Sequence, residues 1–355
     1  MQTQSSFYRD LAEIPVYTGA QFVQRRSREQ ITDAPQSTTI RVTTSVGDHV
    51  RNARRSMVKH VFVSADAEEE GLATPSQDQS DAAASYVSPS GRLLVVLREM
   101  YAEESRGKKR YVEVWEGDAL LGIQDVTNTH AAFYTDEVFS SYGFDRDETR
   151  FVYTAEANAD LENGTAGSKD KVPFGKYRFA APLGEKFLGR KRPTLFIFRW
   201  NEPSEPQKAS YNSQTQPSAV TRIDPQNSSE TVTLSFGQAT LDESGSTIYA
   251  TGYEYLPDGR FSGIAGCYNR PSSIWSLKLD SPDDTETAVA QCTPLRLTPK
   301  DGSCRSPRYI KHDGQEYLVY LRHELGGPHH SCAQLRVLDF ATMKDRVLVD
   351  TVMDA

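Results

Sequence analysis

Residues 88–121 read SPSGRLLVVLREMYAEESRGKKRYVEVWEGDALL. A small polar turn, Ser88–Gly91, enters the apolar run LLVVL. A charged crossing leads to a second apolar run that holds Trp115. In LLVVL the apolar residues stand on consecutive positions. A strand built from them is apolar on both faces and has to be covered on both.

The same design returns along the chain. SPSGRLLVVLR (88–98), FDRDETRFVYTAE (144–156), LDESGSTIYATGY (241–253) and IKHDGQEYLVYLR (310–322) each set a polar turn before a short apolar or aromatic strand. Companion strands with a central aromatic or apolar cluster follow at a distance: VEVWEG, TLFIFRW, SIWSLKLD and QLRVLDF. A small sheet of this kind cannot cover its own faces. Stacking sheets around an axis buries both faces of each and leaves short edges. The pattern predicts an all-β chain, a β-propeller, with a short N-terminal helix. A β-sandwich or barrel of many short strands is the competing architecture.

Strands are expected at 38–46, 57–65, 92–99, 110–117, 149–156, 192–200, 231–237, 246–255, 272–280, 316–324, 333–340 and 346–352. All are short, rich in Val, Ile, Phe, Tyr and Leu, and separated by Gly, Pro, Asp, Asn and Ser. The segment SSFYRDLAE (5–13) predicts the helix, with Ser5 or Ser6 as cap and Phe7 and Leu11 on one face. The expected organisation is a helical extension over 1–30 and a propeller over 31–355, incomplete at its C-terminus. Segments 64–85, 157–176 and 201–230 are acidic or rich in Pro, Ser, Gln and Asn, and are expected to be disordered loops.

The chain has 355 residues with a formal net charge of −8, which lacks the basic footprint of a nucleic-acid binder. No stretch is long and apolar enough for a spanning helix, and the N-terminus lacks the apolar core of a secretory signal. The expected compartment is the cytoplasm, and neither nucleic acid nor membrane is expected as a partner. There Cys267, Cys292, Cys304 and Cys332 are expected to be thiols.

The collinear set of segments resembles the acylaminoacyl-peptidases, or acyl-peptide hydrolases, of the prolyl oligopeptidase class. The carrying stretches are FYRDLAEIPV (7–16), SPSGRLLVVLRE with RYVEVWEGDALL, SSYGFDRDETRFVYTAE, CYNRPSSIWSLKLD (267–280) and SPRYIKHDGQEYLVYLRHELGGPHHSCAQLRVLDF (306–340). The resemblance implies a helix and propeller followed by an α/β-hydrolase domain. That domain would carry a Ser-Asp-His triad and release N-acylated amino acids from short peptides. The propeller would restrict entry to small blocked peptides. The nucleophile elbow G-x-S-x-G is absent from the 355 residues. The chain stops at VLVDTVMDA, inside what the resemblance makes a propeller, so it reads as a partial β-propeller, about four to five blades of a longer propeller: a fragment, a truncated gene model or a split subunit.

No catalytic, cofactor-binding or metal-binding residue is assigned, and no cofactor is expected. His323, His329, His330 and Cys332 lie within ten residues of one another but lack an established ligand spacing. Ser88, Ser90 and Ser306 sit beside Pro or Gly and suit turn capping. Basic clusters at Arg25, Arg26 and Arg28, at Arg51, Arg54 and Arg55, at Lys108, Lys109 and Arg110, and at Arg190, Lys191 and Arg192 lack interleaved aromatics and suit a solvated face. Trp115, Trp200 and Trp275 are expected to pack between blades, each indole N–H with a partner. The function that the resemblance implies for this chain is gating and positioning of N-acylated peptides for a hydrolase domain. The alternative is a stand-alone propeller-like protein-interaction module, whose strand edges call for a partner or for self-association, or a truncated gene product without activity.

Overall fold

The computed structural model describes residues 14–23, 38–48, 53–63, 72–102, 107–157, 182–201, 218–225, 233–280, 288–329 and 332–351. Among them the chain forms 21 strands and a single 3-10 turn, Glu185–Phe187. The described residues fall into two compact units, 14–125 and 126–351.

The first unit holds two antiparallel sheets. In one, β1 (Val16–Val23), β2 (Thr38–Asp48) and β3 (Ala53–Val63) lie in order. The short β4 (Leu72–Ala73) and β5 (Gln77–Asp78) pair with β3. The other is the four-stranded meander β6 (Ala82–Val87), β7 (Leu93–Ala102), β8 (Gly107–Glu116) and β9 (Ala119–Asp125). Gln21 joins the two sheets: its amide donates to the Val87 carbonyl at 3.0 Å and accepts from the Val87 N–H at 3.2 Å.

The second unit repeats the meander. The first copy is β10 (Gly143–Phe144), β11 (Arg150–Glu156), β12 (Pro193–Trp200) and β13 (Ser218–Pro225). The next is β14 (Leu234–Leu241), β15 (Thr247–Glu254), β16 (Ser272–Leu279) and β17 (Val289–Arg296). The last is β18 (Gly302–His312), β19 (Gln315–Glu324), β20 (Gln334–Asp339) and β21 (Lys344–Val349). These are blade-type sheets, and the chain is a partial β-propeller of the all-β class.

One turn device recurs between the first and second strands of three meanders. The side chain of Ser88, Asp145 or Asp242 accepts a hydrogen bond from the N–H five residues on, at Leu93 (3.1 Å), Arg150 (3.0 Å) and Thr247 (3.2 Å). Three residues after each cap the backbone is left-handed, at Gly91 (φ 73°), Glu148 (φ 53°) and Gly245 (φ 67°). This is the physical content of the polar turns that open SPSGR, FDRDETR and LDESGST. The fourth meander turns instead through Asp313 and Gly314, both at positive φ. Burial raises the Asp145 carboxyl above its ordinary range, opposed by hydrogen bonds from Thr149 and Arg150.

The apolar runs are buried on both faces, as their consecutive spacing requires. On β11, Val152 belongs to a core shared with Leu234, Phe236, Ile248 and Trp275 of the next meander. On its other face Tyr153 stacks on Phe196 at 5.5 Å, with His130 and Phe133 edge-on or tilted around them. The outer strands of these two meanders also pair, β13 with β17 in parallel from Arg222–Val289 to Pro225–Cys292. That pairing closes the far edge of the shared core. The next interface is built from Tyr249 and Ile274 against Cys304, Leu318, Tyr320 and Leu338. There Tyr249 stacks on Tyr309 with the rings 5.9 Å apart and 3° from parallel.

At the first strands the backbones come close. A Cβ on Gly237 would lie 2.7 Å from Phe139 Cα, and one on Gly143 would lie 2.9 Å from Thr240 Cα. Glu243 ties three meanders at their turns. Its carboxylate accepts from Lys311 at 2.7 Å and from Arg146 at 3.5 Å, and Lys311 holds it below the usual carboxylate range.

All twelve expected strands are present. The expected helix over 5–13 lies outside the described residues. Val16–Val23, placed by sequence in the N-terminal extension, is a strand of the first sheet. Two expected loops contain strands. Segment 64–85 holds β4, β5 and the start of β6, and segment 201–230 holds β13. Polar composition conceals β13, whose Thr221 and Ile223 are buried while the residues between and beside them are not. Residues 158–176 lie outside the described residues.

Two outcomes are expected from these contacts. Gly237→Ala should lower stability by ~1–3 kcal/mol, because the obstructing atoms are backbone. Gly19→Ala, with no atom of the described residues within 4 Å, should stay within ~0.5 kcal/mol. Urea unfolding of both variants checks this. Glu243 has a lowered folded-state pKa, so its stabilisation is present above the unfolded carboxylate pKa and fades as pH falls through the folded value. Glu243→Gln should therefore lower the urea midpoint near pH 7, by an amount that shrinks as pH falls below the ordinary carboxylate range.

Candidate functional site

Polar side chains of the second unit gather along β14 and β18, the opening strands of two adjacent meanders, and along the segment that leads into β10. Two β-bulges put them there. The β14–β15 register shifts between Gly237 and Thr240, and the β18–β19 register shifts between Arg305 and Arg308. Inside each bulge a non-glycine residue is left-handed, Gln238 at φ 53° and Ser306 at φ 57°. A bulge bends its strand and re-aims the side chains beside it.

Gln238 is the hub. Its backbone N–H donates to the Ser140 carbonyl at 3.0 Å, and its side-chain amide donates to the Glu137 carbonyl at 2.7 Å. Its Oε1 accepts from the Ser306 N–H and from Thr251 Oγ1, both at 2.9 Å. The neighbouring Ala239 N–H donates to Ser141 Oγ at 2.9 Å, which also accepts from Thr154. One side chain thus links all three meanders. Beyond it, Arg308 donates to the Tyr142 hydroxyl at 2.8 Å and lies over the same ring at 4.9 Å. Both side chains remain accessible to solvent, with Tyr142 41% exposed. The strip exposes a guanidinium and a phenol, groups able to hydrogen-bond carbonyl or carboxylate oxygens.

A second polar group sits alongside. Arg305 donates to His323 Nε2 at 3.2 Å and lies 4.1 Å over the Tyr268 ring, which stacks on His323. His323 is therefore buried, 3% exposed, in a cation–aromatic stack. His329 reaches Cys267 instead, and Cys332 is exposed. His330 lies outside the described residues. Among the described residues, no three His, Cys, Asp or Glu side chains converge on a metal-sized position.

The other sequence candidates take structural places. Ser88 and Ser90 cap their turn through the Leu93 and Arg92 N–H groups. Ser306 supplies the backbone N–H at the second bulge. The basic clusters are largely paired: Arg55 with Asp48 and Asp78, Lys108 and Arg110 with Glu99, Arg190 with Glu156. Arg192 donates to the Leu234 carbonyl, and Arg54 to Ser45. Arg25, Arg26, Arg28 and Arg51 lie outside the described residues.

Trp275 fills the core between two meanders, as expected, and Trp115 donates to Glu113 at 2.9 Å. The expected indole partners are not found at Trp200 and Trp275, whose buried N–H groups have no hydrogen-bond partner among the described residues. Arg296 lies over the Trp275 ring at 4.4 Å and meets its π face instead.

The bulges and their hub were invisible to a search for chemical motifs. Pro307, inside β18, was the available signal, because proline within a paired strand marks an edge or a bulge. No helix among the described residues is long and apolar enough to cross a membrane.

Comparison with known proteins gives the lineage. Residues 2–354 match the family model of the acylamino-acid-releasing enzyme N-terminal domain. Acylamino-acid-releasing enzymes of Rattus norvegicus and Arabidopsis thaliana are 26% identical over 282 residues and 25% identical over 286 residues. The matches cover 75% and 74% of this chain, but 34% and 33% of those proteins. The chain thus spans about a third of the length of the curated relatives it matches. Among solved structures, the acylaminoacyl peptidase of Pyrococcus horikoshii aligns with a TM-score of 0.45 at 11% identity, over 96% of this chain and 40% of that one. The β-propeller domain of the trilobed protease from Pyrococcus furiosus aligns with a TM-score of 0.36 at 10% identity, over 96% of this chain and 84% of that one. The match over nearly the whole chain places this protein in the family of acylamino-acid-releasing enzyme N-terminal domains.

Proposed function

We propose that this chain is the propeller part of an acylaminoacyl-peptidase-like serine hydrolase. It positions short N-acylated peptides and restricts their entry, while bond cleavage belongs to a hydrolase domain. The observation that carries this reading is the family match across residues 2–354 in a chain with no G-x-S-x-G. The polar strip supports it: Arg308 and Tyr142 have the chemistry to meet a peptide's carbonyls or its terminal carboxylate. Buried Ser141 and the backbone N–H of Ser306 are committed to the links between meanders rather than to a reacting bond.

The test uses the purified 355-residue protein with an N-acetyl-alanyl chromogenic amide and a fluorophosphonate probe. The expected result is no turnover above buffer and no covalent labelling of any serine. Sustained turnover accompanied by labelling of a serine in this chain would contradict the reading.

A further inference from the structure

Three of the four cysteines have environments that suit a passive role or leave them simply exposed. Cys292 and Cys304 lie in the cores between meanders, and burial pushes their thiols up to about 12 and about 11. Cys332 is exposed. Cys267 differs. Its Sγ lies 3.1 Å from Nδ1 of His329, 62 residues away in sequence. The thiol is half-buried and the imidazole is exposed, so small molecules can reach the pair.

The pair is held from several directions. The loop carrying Cys267 and the loop carrying His329 are joined by the Tyr268 N–H to the His329 carbonyl at 3.1 Å and the Gly326 N–H to the Asn269 carbonyl at 3.3 Å. The Asn269 side-chain amide also donates to the Gly327 carbonyl at 2.5 Å. Cys267 shares a small cleft with the guanidinium-bearing Arg270 and Arg305, and Glu137 is the acidic group there. A thiol 3.1 Å from an imidazole nitrogen and partly open to solvent has the setting of a nucleophilic cysteine.

We propose that Cys267 is a nucleophilic thiol, with His329 as its base, that takes small oxidants of the peroxide class. The reaction needs His329 neutral, with its proton on Nε2 and Nδ1 free to accept. Nδ1 takes the thiol proton, and the sulfur lone pair attacks one peroxide oxygen. The S–O bond forms as the O–O bond breaks, and the departing hydroxide takes the proton from the imidazolium and leaves as water. Sulfur is oxidised by two electrons to the sulfenic acid and the peroxide is reduced.

The full chain is tested by timed exposure to hydrogen peroxide with dimedone trapping, and in parallel by iodoacetamide, each cysteine being followed by peptide mass spectrometry. Cys267 should react at least about tenfold faster than Cys332 near neutral pH. Cys292 and Cys304 should stay unmodified until the protein is unfolded. His329→Gln should bring the Cys267 rate down to that of Cys332 or below. Continued protection of Cys292 and Cys304 in that variant reports that the fold is intact. Cys267 reacting no faster than Cys332, or an unchanged Cys267 rate in a folded His329→Gln protein, would overturn the proposal.

Discussion

A four-stranded meander whose central strands are apolar on both faces has no stable existence alone. Each large side chain left in water forgoes about 1.5–3 kcal/mol. In the second unit the faces are covered by the neighbouring meanders. Val152, Leu195 and Ile197 meet Leu234, Phe236 and Trp275, and Tyr249 and Ile274 meet Leu318 and Tyr320. This mutual burial dictates much else. It brings the opening strands so close that Gly143 and Gly237 have no room for a side chain. It also lets β13 and β17 pair across the far edge of one core.

The same closeness shapes the polar strip. Strands that crowd together at one edge need their backbone groups satisfied across the gap between sheets, because a buried unpaired group costs about 1–3 kcal/mol. The bulges at Gln238 and Ser306 answer that need: each turns backbone N–H groups toward the adjoining meander. The left-handed geometry at two non-glycine residues carries its own cost of about 1–2 kcal/mol each, tolerated because the surrounding hydrogen bonds hold it. What remains facing solvent, Tyr142 and Arg308, is the accessible part of the strip. Structural necessity and the proposed handling of peptides therefore fall on the same strands.

Much of this was legible in the sequence. Consecutive apolar residues in LLVVL announced a strand buried on both faces, and the polar turns announced the reversals, with Ser88 suited to capping the first of them. The strands that escaped are those whose burial is modest or whose residues are small. In β17, Ala290, Cys292 and Pro294 alternate inward with exposed Gln291, Thr293 and Leu295. The period is present, but the bulk that signals a strand is missing. In β13 the pairing partners on either side supply what the composition lacks. The site was less legible than the fold. No local pattern marks Gln238 as left-handed, and the meeting of Cys267 with His329 depends on two loops far apart in the chain. Family resemblance gave the lineage; it did not give these contacts.

The claim beneath the whole account is that adjacent meanders of the second unit are stable only together. Native-state hydrogen exchange of the full chain, followed by mass spectrometry at increasing sub-denaturing urea, measures this directly. Peptides covering β11, β12, β15 and β16 are expected to converge on one opening free energy with one urea dependence. If β11 and β12 kept high protection while β15 and β16 opened separately at much lower cost, the meanders would be independent and the account would be wrong.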